Sequence, residues 1–349
     1  MMKSTIRRAL LPAAVLTFTL HSAFGWDYEG HRLVNEMALS ALPKDFPAFV
    51  LTPEARERVA FLSGEPDRWR NTTDVGLRHV NGPNHYIDIE ELSLYGLTPE
   101  TLPPLRYDFV AKLALARAAH PDKFPPIDPE RNSDHTRELV GLLPWAIAEN
   151  YAKLKSEFSY LKTYEHGGGT PEEIANAQAD ILYTMGTMGH YVGDAGQPLH
   201  TTIYFNGWVG DNPHHYTTAK SFHAWIDGGY IAKVNVPADL SAMERKLRPA
   251  QVVTLHGQPL QPDQMFRVAV DYIVAQNKMV EPLYQLEKDG KLSGEGEVGL
   301  EGKPFIEGQL EKSGQLLSDI WYSAWKLAPE DRYLRQQLQR RSENAAAKK

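Results

Sequence analysis

The sequence predicts a mainly α protein folded as one domain over residues 26–335. Three observations carry that expectation. Apolar residues recur at helical spacing through most of the chain, strand signals are few and short, and helix-start signals stand ahead of the periodic stretches. With 42% hydrophobic residues, 7 Trp and 16 Tyr in 349 positions, there is ample material for a core.

The first 25 residues read as a signal peptide. Lys3, Arg7 and Arg8 precede an apolar stretch from Ala9 to Leu20, and Ala23-Phe24-Gly25 offers small residues for cleavage before Trp26. The stretch is too short to span a bilayer, and no later apolar run is long enough. A secreted or periplasmic protein without stable membrane association is therefore expected, and a monomer. Cleavage would take the net charge from −7 to about −10. An acidic chain is a poor generic binder of duplex DNA, so positive charge for a phosphate must be local. The absence of cysteine excludes a disulfide framework and thiolate metal sites. Any zinc must be held by His, carboxylate and backbone groups.

Element by element, Gly30 to Leu42 shows a helical apolar face at Leu33, Val34, Met37, Ala38 and Ala41. Thr52-Pro53-Glu54 reads as an N-cap followed by proline. Arg106–Ala119 is amphipathic. His135–Leu161 reads as one long helix kinked at Pro144. Thr170-Pro171-Glu172-Glu173 forms a capping box that opens a helix running to about Asp194. Residues 264–288 and 305–327 are two more helical stretches. Lys233–Val236 and Val252–Leu255 are the best strand candidates. Loops are expected at 81–104, 120–134, 195–222 and 290–304, and a polar tail over 336–349, frayed from about Ser342.

The chemistry concentrates in Gly189-His190-Tyr191-Val192-Gly193-Asp194-Ala195-Gly196-Gln197-Pro198-Leu199-His200. His190 and Asp194, four apart on a helix, share one face, which suits two ligands of one metal. His223 and Asp227 repeat the spacing. One such pair is ordinarily a surface His–Asp contact; two pairs with His200 between them point to metal binding, and zinc suits these donors. His31, Asp67 and His85 are further candidates. Tyr204, Phe205 and Trp208 are weaker candidates for stacking, and His214 and His215 read as exposed loop residues.

In these segments the chain resembles the single-strand-specific zinc nucleases and 3′-nucleotidases of fungi, plants and bacteria, whose superfamily includes the bacterial zinc phospholipases C. Trp26 followed by His31, His85-Tyr86-Ile87-Asp88, His190-x-x-x-Asp194-x-x-x-x-x-His200 ending Gln-Pro-Leu-His, and His223-x-x-x-Asp227 stand in the family's order. The resemblance implies about three zinc ions per chain. Asp67, His85, His190 and Asp194 would hold one. The amino group and carbonyl of Trp26, with His31 and a bridging Asp194, would hold its neighbour. His200, His223 and Asp227 would hold the third. It implies hydrolysis of phosphodiester bonds in single-stranded DNA or RNA, or of nucleotides, by a zinc-held hydroxide. Asp67 would orient the nucleophile, Arg70 would neutralise phosphoryl charge, and Tyr86 and Asp88 would contact a base.

Three features depart from the family pattern. Gly228 stands where Asn is usual, Gly196 where His is common, and the stretch from His85 to His190 is longer than in fungal relatives. They bear on substrate preference more than on metal binding. The alternatives are a phospholipase C and a non-catalytic periplasmic zinc-binding protein. The first is opposed by Asp rather than Glu at 227, by the 22 residues separating His200 from His223, and by the lack of a recognisable lipid-binding module.

Overall fold

The computed structural model describes residues 26–261 and 263–347. The expected signal peptide, residues 1–25, lies outside the described residues. The described chain is a mainly helical, single-domain bundle. Its helices are α1 Tyr28–Ser40, α2 Pro53–Leu62, α3 Glu65–Arg70, α4 Val75–Asn81, α5 Arg106–Ala119, α6 Leu143–Gly167, α7 Pro171–Gly196, α8 Phe222–Ala224, α9 Tyr230–Lys233, α10 Leu240–Glu244, α11 Met265–Asn277, α12 Val280–Lys288, α13 Lys303–Leu327 and α14 Arg332–Ala346. A two-residue pair, β1 Thr254–Leu255 and β2 Gln258–Pro259, is the sole sheet among the described residues. None of the described helices is long and apolar enough to cross a membrane.

The centre of the bundle is α7. Thr170 caps its start as the sequence predicts, accepting from Glu173 N–H while Glu173 accepts from Thr170 N–H. Gly168, in the left-handed region, turns the chain so that α6 returns as α7 alongside it. α6 buries Trp145, Leu154 and Phe158, and α7 buries Ile181, Met185, Met188 and Val192. α1, α2, α11 and α13 close around this pair.

Glycine sets how near α1 can come to α7. A Cβ on Gly189 would fall 1.7 Å from Asn35 Oδ1, and one on Gly193 would fall 2.8 Å from His31 Nδ1. With hydrogen there instead, α1 seats against α7. Asn35 ties the junction by donating to the carbonyls of Val59 and Gly186.

Several boundaries differ from the sequence expectation. The helix expected from His135 begins at Leu143, and Pro144 lies in its first turn, where its missing N–H costs nothing. The preceding residues are pinned as a loop, because Asp88 N–H donates to Val140 O and Gly141 packs on Tyr86 O with φ 97°. Lys233–Val236 is no strand: α9 ends at Lys233, Asn235 is left-handed, and a short 3₁₀ turn follows. The helical stretch 264–288 breaks at Lys278–Met279 into α11 and α12. Residues 336–346, read as tail, are helical within α14. Leu338 is buried against Gly167, and Arg341 bonds Gly168 O and Glu173.

Candidate metal centre

Each predicted ligand is delivered by a distinct local device. His190 and Asp194 project from the buried end of α7. His31 comes from α1, whose first turn is capped by Asp27. Asp67 lies in α3, opened by Pro66 and closed by Asn71 donating to Asp67 O. His85 ends a 3₁₀ turn over Gly82–His85. Its strand-like continuation is clamped by Ile87 N–H donating to His200 O and Leu143 N–H donating to Tyr86 O. His200 sits on the turn Pro198–Thr201, capped by Gln197. His223 lies in α8, and Asp227 in one π-helical turn over Trp225–Gly229. An inserted π turn at that place is a device common at functional positions.

These residues assemble into three adjoining donor groups: His31, His190 and Asp194; Asp67, His85 and His190; His200, His223 and Asp227. His190 Nε2 lies 2.9 Å from His85 Nδ1, 3.3 Å from Asp194 Oδ2 and 3.7 Å from Asp67 Oδ1. His85 Nδ1 lies 3.1 Å from Asp194 Oδ2 and 3.9 Å from Asp67 Oδ1. A tetrahedron with zinc–ligand bonds of ~2.0–2.1 Å has edges of about 3.3 Å. These separations scatter around that value, so the four atoms fit a small cation at their centre. Asp194 turns its other oxygen to His31 Nε2 at 3.5 Å, and so can serve two groups. In the third group His223 Nε2 is 3.0 Å from Asp227 Oδ2.

Outside the groups, the protein fixes its donors. His190 Nδ1–H donates to Ser63 O (2.7 Å) and His200 Nδ1–H to His85 O (2.5 Å), so in each ring Nε2 is left as the lone-pair nitrogen facing the donors. Gln197 Nε2 donates to Asp227 Oδ1 (2.5 Å). The inner atoms lack such partners: among the described residues both nitrogens of His31, His200 Nε2, His223 Nε2, Asp194 Oδ1 and Asp227 Oδ2 are buried with no hydrogen bond. Buried polar atoms are seldom left so, and cations held within the groups would satisfy those that face inward.

The electrostatics agree at most of the donors, the exception being His190, where burial is outweighed by Asp194 and Asp67, which raise the imidazole pKa. Burial lowers the pKa of His31, and pushes His85 and His223 down to about 3, so these rings are neutral and can ligate. Burial raises Asp227 well above the carboxylate range despite His200 and Gln197, which marks a charge that the protein alone does not compensate. Burial also opposes ionisation of Asp194, but His190, His200 and the hydrogen bonds from His190 and His85 outweigh it and hold its carboxyl well below the usual range.

Trp26 is buried beside this centre. Asp27 N–H donates to Asp227 O, and the Trp26 ring packs along α7 at Gly193. The two glycine departures follow from that docking and from the packing of α13. A Cβ on Gly228 would lie 2.3 Å from Asp27 Oδ2, and one on Gly196 would lie 1.8 Å from Ser313 Oγ. Neither position has room for a larger side chain.

A cleft of about 540 Å³ opens beside the donors and is lined by His200, His223, Arg70, Tyr86, Asp88 and Phe205. Arg70 Nε is 2.7 Å from Asp67 Oδ1. Burial keeps the Asp88 carboxyl well above its ordinary pKa, with Glu91 and Glu90 adding to it. Tyr204 and Trp208 are not in the cleft lining. They stack on one another at 4.0 Å, and Trp208 packs edge-on to Tyr284. His214 and His215 are exposed, as expected. Sequence reasoning missed Gln197 and the carbonyls of Ser63 and His85 as orienting partners. It also missed Arg78, Arg131 and Arg137 in the cleft wall. Gln197 stood inside the quoted motif; the others carry no local signal. No protein-family model and no curated protein matches this chain.

Proposed function

We propose that this protein is a zinc-dependent phosphodiesterase of the single-strand-specific nuclease and 3′-nucleotidase type, exported and beginning at Trp26. The observation that carries the reading is the juxtaposition of three adjoining donor groups, two of them sharing His190, with a cleft that bears Arg70, Tyr86 and Asp88. Zinc held by Trp26, His31, Asp67, His85, His190, Asp194, His200, His223 and Asp227 would supply Lewis acidity and lower the pKa of bound water toward ~7.

The remaining work falls to side chains. Arg70, oriented by Asp67, meets the negative charge of a phosphoryl group entering from the cleft. Asp67 also accepts the proton of, or orients, an attacking water. Tyr86 offers a ring face to a base, an interaction worth ~1–3 kcal/mol and indifferent to base identity. Asp88, whose carboxyl is shifted toward its neutral form by burial, can in that form donate as well as accept a hydrogen bond at a base edge. A paired duplex presents no free base face, so unpaired strands are the expected substrate.

The test is a side-by-side assay of single-stranded DNA, RNA, 3′-AMP and phosphatidylcholine, with and without prior chelation. Chelator-sensitive cleavage of the first three supports the reading. Release of phosphocholine alone makes the protein a phospholipase C. Zinc binding without turnover of any of the four makes it a non-catalytic zinc binder.

A further inference from the structure

The cleft has a second face that the chemistry above does not use. Arg78 from α4, with Arg131 and Arg137 from the segment that precedes α6, lines the cleft together with Arg70. The same lining carries the carboxyl groups of Asp88, Glu91 and Asp134, so the question for each arginine is whether one of them answers it. Arg78 is matched: it donates to Ser133 Oγ at 3.0 Å and approaches Asp134 at 3.6 Å. Among the described residues Arg131 has only Asp128, at 3.6 Å between exposed side chains. The Arg137 side chain has no ion-pair or hydrogen-bond partner among the described residues, although its backbone is firmly held.

That backbone is built, not loose. Buried Asn132 accepts from Arg137 N–H (3.1 Å) and donates to Glu138 Oε1 (2.8 Å). Thr136 donates to Asp134, whose carbonyl bonds His79 on α4. Val140 and Gly141 then pair with Asp88 and Ile87. The segment thus fixes Arg137 on the cleft wall next to the strand that carries Tyr86 and Asp88, in a protein whose overall charge is negative. An unmatched guanidinium held beside a phosphoryl site suits a second phosphate, for which its planar fork is adapted.

Building on the nuclease reading, we propose that Arg137, with Arg131 in the same cleft lining, binds a phosphate of the substrate other than the one cleaved. The preferred substrate is then a strand with at least two phosphodiesters rather than a single nucleotide or dinucleotide.

The test uses the zinc-loaded protein starting at Trp26. It compares kcat/KM for thymidylyl-thymidine, with one phosphate, against a twelve-residue oligothymidylate. Bis(4-nitrophenyl) phosphate serves as the generic diester. Arg137→Gln should lower the ratio of oligomer to dinucleotide about tenfold, the effect of losing one charge-assisted contact, and mainly through KM. It should also reduce the slope of log affinity against log salt by about 0.7. Arg131→Gln should act in the same direction, less strongly. Arg332→Gln, an equal loss of charge on α14 and outside the cleft lining, should leave the ratio unchanged. A ratio and salt slope unmoved in Arg137→Gln, with the wild type cutting both nucleic-acid substrates, overturns this inference and leaves the nuclease reading standing. A wild type that hydrolyses the generic diester but neither nucleic-acid substrate overturns the reading and the inference with it.

Discussion

At the start of α7, Thr170 and Glu173 cap each other and Arg341 answers both Gly168 O and Glu173. At its end, from Gly186 to Gly196, the helix is wholly buried, and around it Asp194 Oδ1, His31 Nε2, His200 Nε2 and His223 Nε2 find no protein hydrogen bond. One helix therefore carries two kinds of polar group. Those at the start are completed by the chain itself. Those at the end are oriented by the chain from behind, through Ser63 O, His85 O and Gln197, and left open in front. The difference teaches that polar groups can be oriented without being completed, and the His and Asp donors at the buried end are a set that could hold a cation.

The largest way to break this comparison is Asp194→Ala. It removes the carboxylate that serves two donor groups. Turnover should fall on the order of 10³-fold or more, at least the loss from deleting one electrostatic stabiliser. Zinc content by elemental analysis should fall with it, whereas His223→Ala should lose mainly the zinc of the third group. Chelation of the intact protein should lower its melting temperature. A metal at 1,000 times its Kd contributes about 4 kcal/mol to the native state. A variant with normal zinc content and turnover would mean that the buried end is merely a polar core.

A residue placed before Trp26 tests the same end from outside the helix. It converts the amine into an amide, a poor metal donor, so an extended protein should bind less zinc and turn over slowly. Equal zinc content with and without the extension would remove Trp26 from the ligand set.

Gly193→Ala sharpens the comparison within the fold. The new methyl would fall 2.8 Å from His31 Nδ1, so the imidazole or α1 must shift. A loss of about 1–3 kcal/mol is expected, as for overpacking elsewhere, together with weaker metal binding. Leu338→Ala, at the self-completed end, should cost about 2 kcal/mol by denaturant titration through lost burial against Gly167, with zinc content unchanged.

The smallest effect comes from Glu157, near the middle of α6. Burial raises its pKa to about 7 despite a hydrogen bond from Thr184, and no metal donor group lies on it. Its folded form holds a proton more tightly than the unfolded chain does. Stability from this group is thus complete below about pH 4.5 and is lost as pH rises through about 7. Glu157→Gln should remove that dependence and raise stability above pH 7, seen as a flatter profile of melting temperature against pH.

The sequence made the helices and the donor residues legible because both have short-range signatures. The i, i+4 pairs, the Thr170 capping box and the apolar periodicity of α1 and α13 are each contained within a few turns. The cleft wall was not legible. Arg78, Arg131 and Arg137 meet only because Asn132, Asp134 and the Gly141 turn fold residues 128–141 back onto α4 and onto the strand after His85, contacts with no local pattern. The reach of α14 was hidden for a related reason. Its residues are mostly polar, and a single buried Leu338 with two arginine contacts docks it. Gly196 and Gly228 looked like departures from a site pattern. They are in fact places where Ser313 and Asp27 occupy the space a side chain would need.

The most direct test of the central claim is an anomalous-diffraction measurement at the zinc edge on protein that begins at Trp26, paired with elemental analysis of the same batch. The account predicts about three zinc ions per chain. Anomalous peaks should fall within ~2.0–2.2 Å of His190 Nε2 with Asp67 and His85, of Asp194 Oδ1 with His31, and of Asp227 Oδ2 with His200 and His223. A metal-free protein, equally stable after chelation and with water molecules bonded to those same atoms, would contradict it.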